Sequence, residues 1–316
     1  MESAIIITVY NKENYFDACL QSVLTQKCSF PFVVILSDDC STDSSAVLCR
    51  TYAERYSNVE DITDGEHRGV VGNYLYCLKH ALDMGVKYIS QIDCDDILAD
   101  ENFLSRQISF LENEEKAQVA TSGFFLINEK EDLALARAKF NELNPSPQSC
   151  GCYKDLNIST KSLLVKNNTI VAGGATYRTD FLQKYLEEFA TVEDSTQDLP
   201  LWLFLSQYGK FYGCRVKSLA YRDLQESVSR SEDIQKQISF QESSLNTRLR
   251  FIDKLQKSKH YIKGAKRLFL LKVLRHTAKL AKGEYLKRLR VTLKADPSVI
   301  FYGSFWRSIL VYLKKS

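Results

Sequence analysis

The sequence predicts an α/β fold with a mostly parallel central sheet, followed by a basic helical extension. In the first hundred residues, short β-branched runs alternate with amphipathic stretches of helical spacing. Polar and acidic residues follow several of the apolar runs, and from Glu232 onward the pattern is almost wholly helical. Strand and helix alternation of this period indicates parallel strands joined by right-handed crossover helices.

The predicted elements of the first hundred residues follow one another closely. Residues 4–9 and 32–36 are predicted as buried strands, and Asn14 is expected to cap the helix between them. Two more helices are predicted, at about residues 44–56 and 73–84, and a further strand at residues 86–92. In such sheets ligands bind beyond the carboxyl ends of the strands, so the polar residues there are the candidates for a site.

The middle of the chain is predicted to be less regular. Residues 141–168 are polar and contain Pro145 and Pro147, which favours a long surface loop or lid. A strand over residues 169–171 should lead into Gly173 and Gly174, and a helix should follow at about residues 180–189. A further helix is predicted to begin at Asp198, with a proline in its first turn.

Composition places the chain among packed cytosolic proteins. Hydrophobic residues make up 45% of its 316 residues, enough for a sizeable core. We expect a cytosolic location, since no apolar run reaches the length of a membrane span and the N-terminus lacks a signal-like segment. The nine cysteines have no paired C-x-x-C spacing, which favours reduced thiols. Cys150 and Cys152 leave a metal clip as a weaker alternative.

Two acidic turns are the candidate chemical features. Asp93, Asp95 and Asp96 crowd the end of an apolar strand, where a divalent cation such as Mg²⁺ or Mn²⁺ would relieve their repulsion. Asp38 and Asp39 follow another strand, and an aspartate there can accept hydrogen bonds from a nucleobase or a ribose. The alternative interpretations are a solvated turn for the first and a capped turn, with Ser41 or Thr42 starting a helix, for the second.

Several collinear segments together resemble the family 2 glycosyltransferases over about residues 1–240. They are IIITVYNKE at residues 5–13, LSDDCSTD at 36–43, GVVGNY at 69–74, IDCDD at 92–96, Gly173-Gly174, DLPLW at 198–202, and Tyr221-Arg222 followed by Ser227 and Ser229. Each segment is weak alone, but their common order is specific.

The resemblance implies the GT-A fold, a nucleotide-sugar donor and a divalent metal, Mn²⁺ or Mg²⁺. Asp198 matches the family's catalytic base, and an inverting displacement is implied. Asp95 and Asp96 would meet the ribose and the metal, while Arg222 would neutralise the leaving diphosphate. The other implied donor-site residues are Thr8, Tyr10, Glu13, Asp39, Arg68, Asn73, Asp93, Gly173 and Gly174, with Tyr10 stacking on the base and Asp39 bonding its edge.

This chain departs from the family pattern at three positions. Gln197 stands where members often have Glu before the base, and Cys40 stands where many have Gly. Gly72 replaces an arginine that often precedes the residue aligned with Asn73, and Arg68 is a possible substitute. The four histidines, His67 among them, are scattered and provide no persuasive ligand or base.

Charge is unevenly distributed along the chain. Residues 248–316 contain 19 Lys and Arg against 3 Asp and Glu, a net charge of +16, so the remainder has −13. Basic residues interleave with apolar and aromatic ones there, which favours peripheral binding to the inner face of a bacterial membrane. The alternatives are a helical cap that neutralises the acidic domain and, ranked low, nucleic acid.

The predicted organisation is a GT-A domain at residues 1–230 and a basic helical extension at 231–316. Residues 1–98 form the nucleotide-binding half of the domain and 99–230 the acceptor-binding half. The predicted function is transfer of a sugar, most simply from UDP, with dTDP and GDP as alternatives, to a glycan or polyprenyl-diphosphate-linked acceptor in cell-surface polysaccharide synthesis. A catalytically silent nucleotide-sugar-binding or scaffold protein is the main alternative. A nucleotidyltransferase would need a Gly-rich basic loop after the first strand, which is missing here.

Overall fold

The computed structural model describes residues 2–144, 153–224 and 232–314. Within these ranges the chain forms two compact units. The sheet unit comprises Met1–Ser159, Thr169–Val192 and Thr196–Asp223, and the helical unit comprises Thr160–Asn168, Glu193–Ser195 and Leu224–Ser316. The helical unit thus includes two short segments that precede residue 231 in the chain. The predicted division of the first domain into two functional halves stays a prediction.

The described strands of the sheet unit form one mixed sheet. They are β1 (Ser3–Val9), β2 (Phe32–Asp38), β3 (Val59–Asp61), β4 (Tyr88–Gln91), β5 (Ile97–Leu98), β6 (Ala117–Ile127), β7 (Tyr153–Asp155), β8 (Ala175–Arg178) and β9 (Lys210–Arg222). Their order is β3-β2-β1-β4-β8-β6-β9-β5, with β7 also paired to β9. The first four strands are parallel, as predicted, whereas β8 is antiparallel to both of its neighbours.

Helices cover the faces of this sheet. They are α1 (Glu13–Leu24), α2 (Ser45–Arg55), α3 (Gly69–Asp83), α4 (Phe103–Asn113), α5 (Leu133–Leu143), α7 (Leu182–Glu188) and α8 (Asp198–Leu205), with α6 (Thr160–Val165) in the helical unit. Helix α1 buries one apolar side, because Phe16, Leu20 and Val23 are fully buried in one core cluster with residues of β1 and β2. Helix α8 is buried all round, including Trp202 and Phe204, so these rings are core residues.

Two local predictions and one alternative interpretation were wrong. Asn14 lies inside α1 instead of capping it, and the Asp43 carboxylate accepts the Glu13 N–H from a neighbouring loop. Helix α2 begins at Ser45, because Asp43 also accepts the Ser45 N–H, so neither Ser41 nor Thr42 starts it.

The expected strand at residues 169–171 was also wrong, since a 3₁₀ turn at Ala172–Gly174 leads into β8 one step later. The predicted long loop at residues 141–168 contains β7 and α6 in its described part. Pro145, Pro147, Cys150 and Cys152 lie outside the described residues.

The helical unit is built from four further helices. They are α9 (Ile234–Lys254), α10 (Lys259–Leu280), α11 (Lys282–Ala295) and α12 (Gly303–Lys314), with a 3₁₀ turn at Pro297–Phe301. Helices α10, α11 and α12 enclose a small apolar core of their own, which includes Leu274, Tyr285 and Phe305. In the part of the chain that the structure describes, none of the helices is both long and apolar enough to cross a membrane.

Candidate functional site

Three loops meet at the carboxyl edge of β1, β2 and β4. Because β1 lies between the other two strands, the loop after β1 contacts the loops on both sides. The Asn11 N–H donates to Ser41 Oγ at 2.8 Å, and the Asn11 side-chain oxygen accepts the Thr42 N–H at 2.8 Å. The Lys12 N–H donates to Ser45 Oγ at 2.9 Å. These bonds fix the acidic turn after β2, which contains Asp38 and Asp39, relative to the loop after β1.

Lys12 connects this segment to the third loop. Its Nζ lies 2.7 Å from Asp95 Oδ2, and both side chains are about three-quarters buried, at 26% and 20% exposure. Burial by itself lowers the pKa of Lys12, but the ion pair with Asp95 outweighs it and leaves the pKa raised. Lys12 therefore stays charged and provides one fixed positive charge in the acidic cluster.

Asp93 is a carboxylate whose charge is only partly compensated. Burial raises its pKa to about 7, and the charges of Asp95 and Asp198 contribute to the increase, while Lys12 opposes it. Asp198 is therefore close enough to Asp93 to repel it, although 105 residues separate them in the sequence. Asp198 is the first residue of α8, as predicted, and it is partly exposed. Three carboxylates thus converge at one edge of the sheet.

Asp96 turns inward from this cluster. It is 1% exposed, and its Oδ1 accepts the backbone N–H of Arg222 at 2.8 Å. Its Oδ2 is buried with no hydrogen-bond partner among the described residues, and a Cβ added to Gly173 would lie 3.4 Å from that atom. Burial, together with the charges of Asp93 and Asp95, raises the pKa of Asp96 well above its usual range. This placement favours a structural role, and the predicted contact of Asp96 with a metal stays a prediction.

The two glycines at positions 173 and 174 are also closely packed. Gly173 and Gly174 are buried in the 3₁₀ turn, and a Cβ on Gly174 would meet Ser122 Oγ at 3.0 Å. Gly173 lies beside Asp96, so the turn does approach the acidic cluster. Its predicted contact with the donor sugar stays a prediction.

Arg222 is held by the backbone of two loops, and its predicted contact with the leaving diphosphate stays a prediction. The side chain is only 4% exposed, and its Nε donates to the Asp95 carbonyl at 2.8 Å. Its Nη1 donates to the carbonyls of Asn128, Glu129 and Glu131 at 2.8 to 2.9 Å. The guanidinium also lies over the Tyr15 ring, 4.9 Å from its centroid. In this structure Arg222 therefore positions the Asp95 loop, because its guanidinium donates to backbone carbonyls on both sides.

The other end of the site surrounds Asp39. This buried carboxylate accepts the Arg68 backbone N–H at 2.6 Å, and His67 Nδ1 lies 3.1 Å from its second oxygen. The Tyr10 ring, 47% exposed, lies 5.7 Å from the His67 ring. His67 thus lies between the Tyr10 ring and the Asp39 carboxylate. The predicted stacking of a nucleobase on Tyr10 and its hydrogen bond to Asp39 stay predictions. Thr8 lies two residues before Tyr10, near the carboxyl end of β1, and it pairs with Ser37 of β2.

Arg68 contributes its backbone, and its side chain is held elsewhere. The guanidinium pairs with Asp64 and Glu66 and lies over the Tyr76 ring, 4.1 Å from its centroid. A Cβ added to Gly72 would come within 2.9 Å of the Arg68 Cβ, so the two positions compete for the same space. Donor binding by the Arg68 side chain stays a prediction.

Asn73 and Glu13 act as connectors in this structure. The Ser37 hydroxyl donates to Asn73 Oδ1 at 2.6 Å, and Asn73 Nδ2 donates to the Ser37 carbonyl at 2.8 Å, which fixes α3 to the end of β2. Glu13 is exposed, and its carboxylate accepts the Ser44 N–H at 2.9 Å. Asn73 thus joins α3 to the end of β2, and Glu13 joins the start of α1 to the turn after β2. Their predicted contacts with the nucleotide stay predictions.

Cys40 has an unusual backbone conformation for its residue type. Its φ is +62°, in the left-handed region that favours glycine. The glycine that many relatives have at this position thus fits the turn without strain. Cys40 keeps the same turn, and its thiol lies 3.1 Å from the Gly65 carbonyl oxygen.

The site residues fit a divalent cation that is completed by other oxygens. Among the described residues, no group of three or more His, Cys, Asp or Glu side chains could hold a metal ion by itself. Mg²⁺ and Mn²⁺ sites in nucleotide enzymes need only one or two carboxylates, because phosphate oxygens and water fill the other positions. Asp93 and Asp95 provide such hard oxygen donors, and the raised pKa of Asp93 indicates that the cluster lacks positive charge.

Two residues of the site were missed by sequence reasoning. Lys12 stands directly after the first strand, but nothing in its sequence neighbourhood indicates that it pairs with Asp95, 83 positions away. His67 lies next to Arg68, yet its contact with Asp39 depends on how the loop before α3 folds back. Ser227 and Ser229 of the last motif lie outside the described residues.

Comparisons with known proteins identify the family of this chain. The sequence model of the family described as "Glycosyl transferase family 2" matches residues 4–185. The putative glycosyltransferase EpsE of Bacillus subtilis is 26% identical over 227 residues, which are 71% of this chain and 73% of EpsE. The minor teichoic acid biosynthesis protein GgaA of the same organism is 32% identical over 130 residues, 40% of this chain and 29% of GgaA.

A solved structure has the same fold. S. aureus TarS 1–349 in complex with UDP-GlcNAc superposes with a TM-score of 0.55 at 16% sequence identity, covering 100% of this chain and 93% of that one.

Proposed function

The chain belongs to glycosyl transferase family 2 and has the GT-A fold, and we propose that it is an inverting glycosyltransferase that uses a UDP-sugar. The acceptor is a hydroxyl group of a glycan or of a lipid-linked sugar. The observation on which this proposal rests is the convergence of Asp93, Asp95 and Asp198 beside the Asp39 turn.

The nucleotide is proposed to lie across the three joined loops. Uracil stacks on Tyr10, and the Asp39 carboxylate accepts a hydrogen bond from its imide nitrogen. The diphosphate then extends toward the ion pair of Lys12 and Asp95. Lys12 directly follows Asn11 in the loop after β1, and Asn11 bonds to the turn that contains Asp39. UDP-GlcNAc, which is bound in the TarS structure, is a donor of this class. A GDP-sugar or a dTDP-sugar is the alternative donor.

A divalent cation, Mn²⁺ or Mg²⁺, is proposed to bind at Asp95 and Asp93. When bound, it neutralises the charge that develops on the leaving diphosphate. Lys12 contributes a second positive charge from the protein itself. Since its ammonium already contacts Asp95, it is also positioned to compete with the cation for that carboxylate.

Asp198 is proposed to act as the general base. Its carboxylate removes the proton of the acceptor hydroxyl while the acceptor oxygen forms a bond to the anomeric carbon. The bond from that carbon to the diphosphate oxygen breaks at the same time, and its electron pair leaves with the nucleoside diphosphate. Because attack and departure occur on opposite faces, the configuration of the anomeric carbon inverts. Arg222 holds the Asp95 loop and takes no proton.

The test is the Asp198→Asn variant, assayed with a panel of nucleotide sugars and Mn²⁺. Loss of the base should lower turnover about 10²- to 10⁴-fold. Binding of UDP, measured by calorimetry, should stay close to that of the parent, because Asp198 does not contact the nucleotide in the proposed pose. Asp83→Asn, an exposed carboxylate on α3, is the matched control and should leave both quantities unchanged.

Two outcomes would contradict the assignment. Undiminished turnover in Asp198→Asn would remove Asp198 as the base. Binding of nucleotide sugars by the parent without release of any nucleoside diphosphate would favour a silent binding protein over a transferase.

The place of action is proposed from the relatives. GgaA is named for teichoic acid biosynthesis, and teichoic acids are cell-surface polymers. We therefore propose an acceptor that belongs to a growing cell-surface polysaccharide, for example one linked to a polyprenyl diphosphate. The proposed location is the cytoplasm, at the inner face of the plasma membrane, where nucleotide sugars are available. No nucleic acid partner is proposed.

A further inference from the structure

Helix α12 presents an apolar stripe outward from the helical unit. Trp306, Leu310 and Leu313 recur at intervals of four and three residues, so they lie along one face of the helix. Their exposed fractions are 54%, 56% and 57%. Exposed apolar residues are ordinary when scattered, but a continuous row of three on one helix is a patch that calls for a partner.

The stripe continues onto the preceding 3₁₀ turn. The Trp306 indole N–H donates to the Ile300 carbonyl at 2.7 Å, which places the ring beside Ile300 and Phe301. Phe301 is 83% exposed, and Ile300 is 39% exposed. We call these five residues the apolar face: Ile300, Phe301, Trp306, Leu310 and Leu313.

The helical unit does not need the apolar face for its own core. The opposite side of α12 already packs inward, with Phe305 and Ser308 buried and the Tyr312 ring stacked 4.5 Å from that of Tyr285. The Ser308 and Tyr285 hydroxyls lie 3.0 Å apart and complete this contact. Helix α12 is thus already fixed within its unit, and the outward stripe is left over.

Positive charge borders the apolar face. Arg307 and Lys314 are exposed and follow Trp306 and Leu313 directly, so they lie along the adjacent side of the same helix. Residues 282–314 contain seven Lys and Arg against two acids, Glu284 and Asp296. Asp296 is buried and paired with Arg267 at 2.6 Å, so it offsets little of the surface charge.

We propose that the apolar face docks on the headgroup region of a membrane that contains anionic lipid. Trp306 and Phe301 enter the interface, the leucines enter the upper acyl region, and Arg307 and Lys314 contact lipid phosphates. The aromatic and aliphatic row fits a lipid surface better than a nucleic acid, which would contact cations and stacking rings without leucines. This contact is independent of the proposed sugar transfer and would hold for a chain without activity.

Tryptophan fluorescence provides a direct test on the full chain. The chain has two tryptophans, and Trp202 is fully buried, so a lipid-dependent change reports Trp306. With vesicles of phosphatidylcholine and phosphatidylglycerol at physiological salt, the emission should shift to the blue and brominated lipid should quench it. Vesicles of phosphatidylcholine alone should bind at least ~10-fold more weakly, because the cations lose their partners.

Variants distinguish this contact from nonspecific hydrophobic adsorption to vesicles. Leu310→Glu combined with Leu313→Glu should lower vesicle binding at least ~10-fold. Leu135→Glu, at a residue of similar exposure on α5, should leave binding unchanged. Trp306→Phe should still sediment with vesicles but should lose the blue shift.

Three results would overturn the proposal. One is equal binding by the double glutamate variant and the parent. Another is the absence of any binding to phosphatidylglycerol vesicles. The third is concentration-dependent dimerisation without lipid that buries Trp306, which would make the apolar face a contact between two copies of this chain.

Discussion

Replacing Asp93 with asparagine should make the protein more stable at neutral pH while impairing sugar transfer. As the pH rises through about 7, Asp93 ionises next to Asp95 and Asp198 in a place where burial disfavours the charge. Asparagine has nearly the same shape but no charge, so it removes the repulsion without opening a cavity. A residue that costs stability in the free protein is expected at a site that is completed by a cation and a substrate.

The magnitude follows from the pKa of Asp93. Its ordinary value of 3.8 rises to about 7 in the folded protein. A tenfold change in an equilibrium constant corresponds to about 1.4 kcal/mol, so the charged form costs up to about 4 kcal/mol of folding free energy. Partial solvent access reduces this figure, and we expect a gain of about 2–4 kcal/mol. For a unit of this size, the gain raises the melting temperature by about 5–15 °C.

The sign of the pH dependence is fixed by the raised pKa. Between pH 4 and pH 7 the folded protein binds a proton at Asp93 that the unfolded chain releases, so the cost of Asp93 grows as the pH rises through this window. The advantage of Asp93→Asn should therefore be near zero below about pH 4 and reach its full value above about pH 7.

Thermal unfolding followed by circular dichroism, in metal-free buffers from acidic to mildly alkaline pH, measures this difference. Asp180→Asn, an exposed carboxylate at the surface, is the control and should show no such dependence. Adding Mn²⁺ should stabilise the parent more than Asp93→Asn. A variant that is no more stable than the parent at pH 8, or a gain that does not change with pH, would refute the reasoning.

The remaining predictions concern three positioning residues. Lys12→Met should tighten Mn²⁺ binding by about 10-fold, because the ammonium no longer competes for Asp95. Electron paramagnetic resonance measures this binding, and weaker binding in the variant would show that Lys12 supports the metal instead. Arg222→Lys should lower the free energy of unfolding by about 2–4 kcal/mol in urea titrations, since one ammonium cannot donate to all four carbonyls that the guanidinium reaches. A change as small as that of the exposed Arg55→Lys would show that these four hydrogen bonds do not stabilise the fold. Cys40→Gly should raise the melting temperature slightly, by the equivalent of up to about 1 kcal/mol, because glycine adopts a positive φ without strain; a lower melting temperature would mean that the thiol contact with Gly65 outweighs the strain.

Local pattern was enough to predict the first half of the sheet and the edge at which its acidic residues lie. Strands β1, β2 and β4 and helices α1 to α3 are each encoded by the periodicity of a short segment, and parallel strands place their carboxyl ends at one edge. The acidic residues after β2 and β4 therefore had to lie at that edge. Asp198 could be predicted as the start of a helix, because the following proline and apolar run are themselves local signals.

Tertiary structure decided what each of these residues contacts. Lys12 and Asp95, or Arg222 and the carbonyls of residues 128 to 131, are far apart in the sequence, and no periodicity reports which side chain reaches which partner. Asp95 and Asp96 are adjacent and chemically identical, yet one faces Lys12 and the other turns into the core. The same holds for α12, whose sequence indicates an amphipathic helix, whereas only its packing on α10 and α11 leaves Trp306, Leu310 and Leu313 facing outward. Burial is a property of the assembled chain, because it depends on which surfaces the other elements have already covered.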